Sequence, residues 1–334
     1  MGFMFFGCIS LTYLNLNNFN TSHTTNISSM FYDCKKLTSI NLGSFDTSLV
    51  TDMGSLFYNC ASLKYFNISS FNTSLVNNML KIFYNCTSLT SLDIRHFDTS
   101  LVTNMKDMFG QLHKLISLDL SNFNTASVYN MEGMFGGSYS LVSLDLSNFD
   151  ISKVNNTFEM FFTCTSLIFL NLDSFETKVE TINAINMFQN INEKLILCLD
   201  FQRNTIIKNA IPQKIIINNN CNDICFSKNI KIDMYNKACI NNCENSNYKY
   251  EYNKICYLEC PENSHISATN NHLCVDYCEK LNKYYNYNGT SCIDTIPQGY
   301  FVNDSSLKTI DKCHPDCKEC EKKMMKIIHI VNLA

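Results

Sequence analysis

Basic charge is what this 334-residue sequence lacks: 26 Lys and Arg stand against 30 Asp and Glu, a net charge of −4, with no local Lys/Arg cluster. A basic footprint for nucleic acid is thereby excluded. Charged residues of both signs are sparse at 17%, so neutral Asn, Ser and Thr must solvate most of the surface. No stretch approaches the roughly 18 consecutive apolar residues of a membrane-spanning helix, so membrane association would have to come through segments outside this chain. Tryptophan is absent, proline numbers 4 and glycine 10, and no glycine-rich loop is present to cradle a phosphate. H-E-x-x-H and G-x-S-x-G are missing as well. The seven histidines (His23, His96, His113, His265, His272, His314 and His329) are scattered. Asp93, Asp119 and Asp145 form a repeated column of similar groups, not the asymmetric pair that acid/base chemistry needs. Nothing here points to an enzyme, and no cofactor is implied.

Hydrophobic residues are present at 46%, the ordinary globular level, which argues against wholesale disorder. The 18 cysteines divide the chain. Five (Cys8, Cys34, Cys60, Cys86 and Cys164) are spread over the first 197 residues, and thirteen fall between Cys198 and Cys320. The expected organisation is a repeat array over residues 1–200, a linker over 201–220, a cysteine-rich region over 221–320 and a tail over 321–334.

The array is read from a period of 26 that does not drift. Phe5, Phe31, Phe57, Phe83, Phe109, Phe135 and Phe161 are spaced by 26, as are Phe19, Phe45, Phe71, Phe97, Phe123, Phe149 and Phe175. Leu11, Leu37, Leu63, Leu89, Leu115, Leu141 and Leu167 form a third column. An eighth unit from Met187-Phe188 is one residue out of phase. Each unit reads approximately M-F-x-x-C-x-x-L-x-x-L-x-L-x-x-F-[ND]-T-S-x-V-x-[ND]-M. Alternation at Leu92-Asp93-Ile94 predicts a short half-buried strand. The i, i+3, i+4 spacing of Met105, Met108 and Phe109 predicts one or two helical turns. One strand and one short helix per unit, stacked in register, give an α/β solenoid in which each unit covers its neighbour.

The L-x-x-L-x-L core resembles the leucine-rich repeat. More narrowly, M-F-x-x-C-x-x-L with F-[ND]-T-S-x-V-x-[ND]-M is similar to the BspA-like leucine-rich-repeat surface proteins of bacteria and protists. That resemblance implies a cell-surface protein used in adhesion, without enzymatic activity. Asn26, Asp52, Asn78, Asn104, Asn130 and Asn156 form one polar column, and Asn20, Asp46, Asn72, Asp98, Asn124 and Asp150 another. Capping of backbone groups is the better reading of both; a calcium ladder is the alternative, but the G-G-x-G-x-D signature is missing. Cys34, Cys60 and Cys86 share a column with Leu112 and Ser138, which suits buried thiols, although inter-repeat disulfides are geometrically open. On the strand face, outward positions that could meet a protein or glycan ligand, including a host or matrix surface, are Tyr13, Tyr65, Asp93, Arg95, His96, Asp119, Asp145 and Phe169.

From Cys221 the pattern becomes C-x-x-x-C: Cys221/Cys225, Cys239/Cys243, Cys256/Cys260 and Cys274/Cys278, with starts 17 or 18 residues apart and Cys292 another 18 on. The intervening residues hold too few aliphatics for a core, so disulfides or metal must hold this region. Disulfides are the better reading. Cys313, Cys317 and Cys320, with His314, have a spacing that zinc sites also use, and they leave an intracellular scaffold with a zinc-bound tail as the alternative. The run from Pro297 to Cys320 resembles furin-like, growth-factor-receptor-type cysteine-rich repeats of protist surface proteins, which implies an extracellular stalk or spacer. Thirteen is odd, and Cys198, outside the 18-residue pattern, is the expected unpaired member. Sequons at Asn20, Asn26, Asn67, Asn72, Asn85, Asn155, Asn288 and Asn303 add weak support for an exported glycoprotein. Met1 to Phe6 has no signal-peptide pattern, and no polar cap precedes the first unit, so a piece of a longer surface protein is the expectation.

Overall fold

The structure, a computed structural model, describes residues 1–16, 18–179, 181–199 and 205–218, and in the C-terminal third only the backbone of short strands. For Tyr65, residues 205–206 and residues 216–218 it likewise describes the backbone alone. The chain divides into two compact units, Met1–Phe226 and Ser227–Ala334.

In the first unit the 26-residue period becomes one lap of backbone, a coil, hydrogen-bonded to the next. The L-x-L segments form strands β1 (Ser39–Asn41) and β2 (Tyr65–Asn67), paired parallel with Ile40 opposite Phe66. Further along, β3 (Ser143–Asp145), β4 (Phe169–Asn171), β5 (Ile196–Cys198) and β6 (Ile216–Asn218) make a four-stranded parallel sheet in sequence order. The register offset is 26 from β3 to β4, then 27 and 20 residues, so the out-of-phase eighth unit is accommodated without breaking the sheet. The expected linker is not a spacer. It contributes the single-turn helix α1 (Thr205–Lys208) and β6, which covers the edge of β5.

The segment expected to be helical is not helix in any coil. Met53 to Cys60 is a run of tight turns: Leu56 N–H donates to Met53 O (3.2 Å), Tyr58 to Ser55 O (3.1 Å) and Cys60 to Phe57 O (3.1 Å). The intervening N–H groups leave the coil altogether. Ser55 donates to Leu80 O (2.7 Å), Phe57 to Ile82 O (3.0 Å) and Asn59 to Tyr84 O (2.8 Å). Such alternation needs a left-handed residue every fourth position, and Ser55 and Asn59 have φ of 56° and 57°. The conformation buries Met53, Leu56, Phe57 and Cys60, the same i, i+3, i+4, i+7 set that a helix would bury. Hence the misleading sequence signal.

Two further ladders close the corners. Asn26, Asp52, Asn78, Asn104, Asn130, Asn156 and Asn183 bridge one coil to the next in parallel, and each side-chain oxygen accepts the N–H two residues on, as Gly54 N–H to Asp52 Oδ1 at 2.9 Å. At the opposite corner a buried threonine spans the gap. Thr99 Oγ1 donates to Asn124 O (2.9 Å) and accepts the Asn124 N–H (2.8 Å); Thr47 and Thr73 make the same pair of bonds with Asn72 and Asp98.

Between the ladders lies a core of identical side chains in columns. Phe5, Phe31, Phe57, Phe83, Phe109, Phe135, Phe161 and Phe188 form one continuous stack, with neighbouring centroids 5.6–6.2 Å apart. Each coil alone would leave its phenylalanine half solvated, whereas stacking buries both faces. Cys34, Cys60, Cys86 and Cys164 are free thiols in this core, and each donates to the carbonyl of a phenylalanine 29 residues back (3.1–3.2 Å). Ser138 makes the same bond to Phe109 O at 2.8 Å, whereas Leu112 fills the same column as a buried apolar side chain.

In the second unit, β7 (Lys231–Asp233) and β10 (Ile255–Tyr257) pair parallel, flanked by β8 (Ala238–Ile240) and β9 (Tyr250–Tyr252). Three hairpins follow: β11 (Ser264–Ile266) with β12 (Cys274–Asp276), β13 (Tyr284–Tyr285) with β14 (Cys292–Ile293), and β15 (Tyr300–Asp304) with β16 (Thr309–Lys312).

Candidate functional site

The outward positions of the strand face lie on successive coils, and the structure sorts them unequally. Tyr13 is 66% exposed. Tyr65 sits in β2, but its side chain lies outside the described residues. Asp93 and Arg95 form a bidentate ion pair, with Nε to Oδ1 and Nη2 to Oδ2 both at 2.9 Å. His96, beside them, places Nε2 3.0 Å from Ile68 O and its ring edge-on to Phe97 at 5.1 Å. Asp119 and Asp145 are exposed, but each accepts an N–H from two residues ahead, Ser121 at 3.0 Å and Ser147 at 3.1 Å. Asn41, Asn67 and Asn171 do the same. The acidic column is thus one more set of Asx turns, closing each strand.

Phe169 is the exception and a correction. Its side chain is fully buried, and all three residues of β4 are buried, so the strand face is covered there and offers no surface. The exposed face runs from Tyr13 to Asp145.

A second surface was not anticipated from the sequence. Phe6, Tyr32, Tyr58 and Tyr84 stack in a column with centroids 4.6, 4.3 and 5.2 Å apart. The Lys81 ammonium lies 5.8 and 5.4 Å from the centroids of Tyr58 and Tyr84. The column stops where Gly110 and Gly136 replace tyrosine. Its sequence signal is the 26-residue recurrence of Tyr directly after Phe. Nearby, Gly133 and Gly137 have φ of 60° and 74°. A Cβ at either would collide with the Asp107 carboxylate or the Gln111 amide, which lie across them. Burial pushes the Asp107 carboxyl up, opposed by Lys81 at 3.6 Å.

The buried thiols are chemically quiet. Burial pushes Cys34 up to about 11, and Cys86 and Cys164 to about 12, which removes the thiolate that reactivity requires. Cys198 overturns an expectation, because it is disulfide-bonded. The five earlier cysteines are free. The other disulfide candidates (Cys221, Cys225, Cys239, Cys243, Cys256, Cys260, Cys274, Cys278, Cys292, Cys313, Cys317 and Cys320) have side chains outside the described residues. Among the described residues no group of three His, Cys, Asp or Glu side chains is placed to hold a metal ion, and no helix is long and apolar enough to cross a membrane.

Coils that repeat their buried side chains and vary their exposed ones define a repeat protein. The chain belongs to the family described as Mycoplasma protein of unknown function, DUF285, whose model matches residues 1–92 and again 88–196. No curated protein and no solved structure matches it.

Proposed function

We propose that this chain is a non-enzymatic cell-surface binding protein, a leucine-rich-repeat solenoid of BspA-like type carrying a furin-like cysteine-rich spacer, which engages protein or glycan ligands. One observation carries the reading. The Phe31–Phe161, Phe45–Phe175 and Leu37–Leu167 columns recur unchanged in the core from coil to coil, while the outward position of Arg95 is Gly43, Ser69, Ser121 and Ser147 in other coils and that of His96 is Ser44, Ser70, Asn122 and Asn148. A scaffold that holds its interior constant and diversifies one face suits recognition, and the ion-paired Asp93–Arg95 unit with His96 is the most distinctive group on that face. The Cys198 disulfide supports an oxidising compartment.

The test is a binding screen of the full chain against immobilised matrix proteins and a glycan array. A saturable ligand whose affinity falls at least tenfold in Arg95→Ala supports the reading; failure to bind any ligand in both formats overturns it. The Cys313–Cys320 spacing keeps a zinc-bound intracellular tail as the second reading. Thiol counting with and without reductant separates the two, because stoichiometric zinc with free thiols after chelation favours the second.

A further inference from the structure

Leucine is exposed where the repeat turns its corner, and only in three consecutive coils. Leu49, Leu75 and Leu101 are 45%, 43% and 49% exposed. They occupy the same position, directly before the buried Val50, Val76 and Val102. Packing does not demand them, because His23, Ser127 and Lys153 stand at that position in the coils on either side. Parallel pairing sets neighbouring coils about 4.8 Å apart, so the three leucines form a straight apolar stripe along the stack.

The flank of the stripe is acidic. On the same turns, Asp46 and Asp98 lie three residues before Leu49 and Leu101, and their carboxylates accept both the backbone N–H of Ser48 and Ser100, at 2.9 Å each. Hydrogen bonds from the Ser48 and Ser100 hydroxyls and amides hold both carboxyls below the usual carboxylate range. No lysine or arginine occurs from 46 to 51, 72 to 77 or 98 to 103.

We infer that the Leu49–Leu75–Leu101 stripe, with Asp46 and Asp98 beside it, docks an amphipathic α-helix of a protein partner, laid along the stack with its basic flank over the two carboxylates. The spacing favours a helix. A turn of α-helix rises about 5.4 Å, close to the coil spacing, so apolar residues on successive turns meet successive leucines. Asp46 and Asp98 are two coils apart, roughly 10 Å, which matches Lys or Arg residues two helical turns apart. The charge also argues against an acidic occupant and sets which flank of the helix faces the carboxylates.

The experiment uses the full chain and two labelled 21-residue helical peptides with leucines along one face, one flanked by Lys and the other by Glu, read by fluorescence anisotropy. The Lys peptide binds, with an affinity that falls as salt rises. Leu75→Ser, which copies the natural Ser127, weakens it at least tenfold, and Asp46→Asn with Asp98→Asn flattens the salt dependence. Arg95→Ala leaves it unchanged, which separates this surface from the strand face. Equal binding of the Glu peptide, or an unchanged affinity in a Leu75→Ser chain with native circular dichroism, overturns the inference. Self-association of the chain that Leu75→Ser abolishes also overturns it, by making a second copy the occupant.

Discussion

Replacing Thr99 by valine tests whether side-chain hydroxyls stand in for backbone pairing at one corner of the coil. Valine keeps the shape of threonine and deletes only the hydroxyl. Thr99 is fully buried, and the deletion breaks two bonds at once, from Thr99 Oγ1 to Asn124 O (2.9 Å) and from Asn124 N–H to Thr99 Oγ1 (2.8 Å). Each backbone group left without a partner costs about 1–3 kcal/mol when fully shielded. Asn124 lies at an exposed corner, where water can partly replace the hydroxyl, so the expected loss is about 2 kcal/mol in total. Thr99→Ser keeps both bonds and loses one methyl, about 0.8 kcal/mol. The valine variant must therefore be the less stable of the two. Because repeat arrays can open locally, urea unfolding should be paired with hydrogen exchange of the Asn124 amide, which valine accelerates and serine leaves slow. Ile151 supplies the converse. It occupies the threonine position, and the Glu176 N–H that would face it donates to Ser174 O (2.7 Å) instead. If Thr99→Val matches the parent within about 0.5 kcal/mol, well under one such bond, or if serine is the worse replacement, the hydroxyl ladder is not holding the coils together.

Thr163 is β-branched yet has φ of 56°, while asparagine fills the equivalent position at 59 and 85. Thr163→Asn should therefore gain about 1 kcal/mol in urea unfolding, and a loss would refute the strain. Cys86 and Cys164, pushed up to about 12, should resist a thiol reagent at pH 8 in the native chain and react only at the global unfolding rate; rapid native labelling contradicts their burial. Asp46, Asp98 and Asp150 are held below the usual carboxylate range by hydrogen bonds from Ser48, Ser100 and Ser152. A depressed carboxyl contributes stability above its unfolded pKa and loses it as pH falls through the folded one. Changing the three serines to alanine should therefore flatten the fall in melting temperature below about pH 4, leaving pH 7–8 behaviour parallel to the parent.

Much of this was legible in the sequence because a drift-free period fixes which residues become neighbours. Phe31 and Phe57 had to meet if the coils stacked, and they do, at 5.7 Å. The Asn26-to-Asn156 column reads as capping and makes capping bonds. What periodicity cannot distinguish is two backbones that bury the same offsets, so the Met–Phe segment reads as helix although its N–H groups serve the next coil. Nor does a repeat report where its outer face is covered, since Phe169 looks as available as Tyr13. The threonine ladder is hidden for a related reason: in F-[ND]-T-S a threonine reads as a solvated turn residue, and only its placement against the next coil makes it a buried crosslink.

The turn segments give the stack an electrical direction. In the peptide joining Ser28 to Ser29, the Ser28 carbonyl accepts from Phe3 of the coil before, while the Ser29 N–H donates to Gly54 of the coil after. The peptides Met30–Phe31 and Tyr32–Asp33 are oriented alike. Their dipoles, about 3.5 D each, add along the axis of the array, whereas the strand ladder on the other side largely cancels its own. The array is accordingly polarised like an α-helix, with its positive pole toward the later coils. Each added coil strengthens the hydrogen bonds already formed.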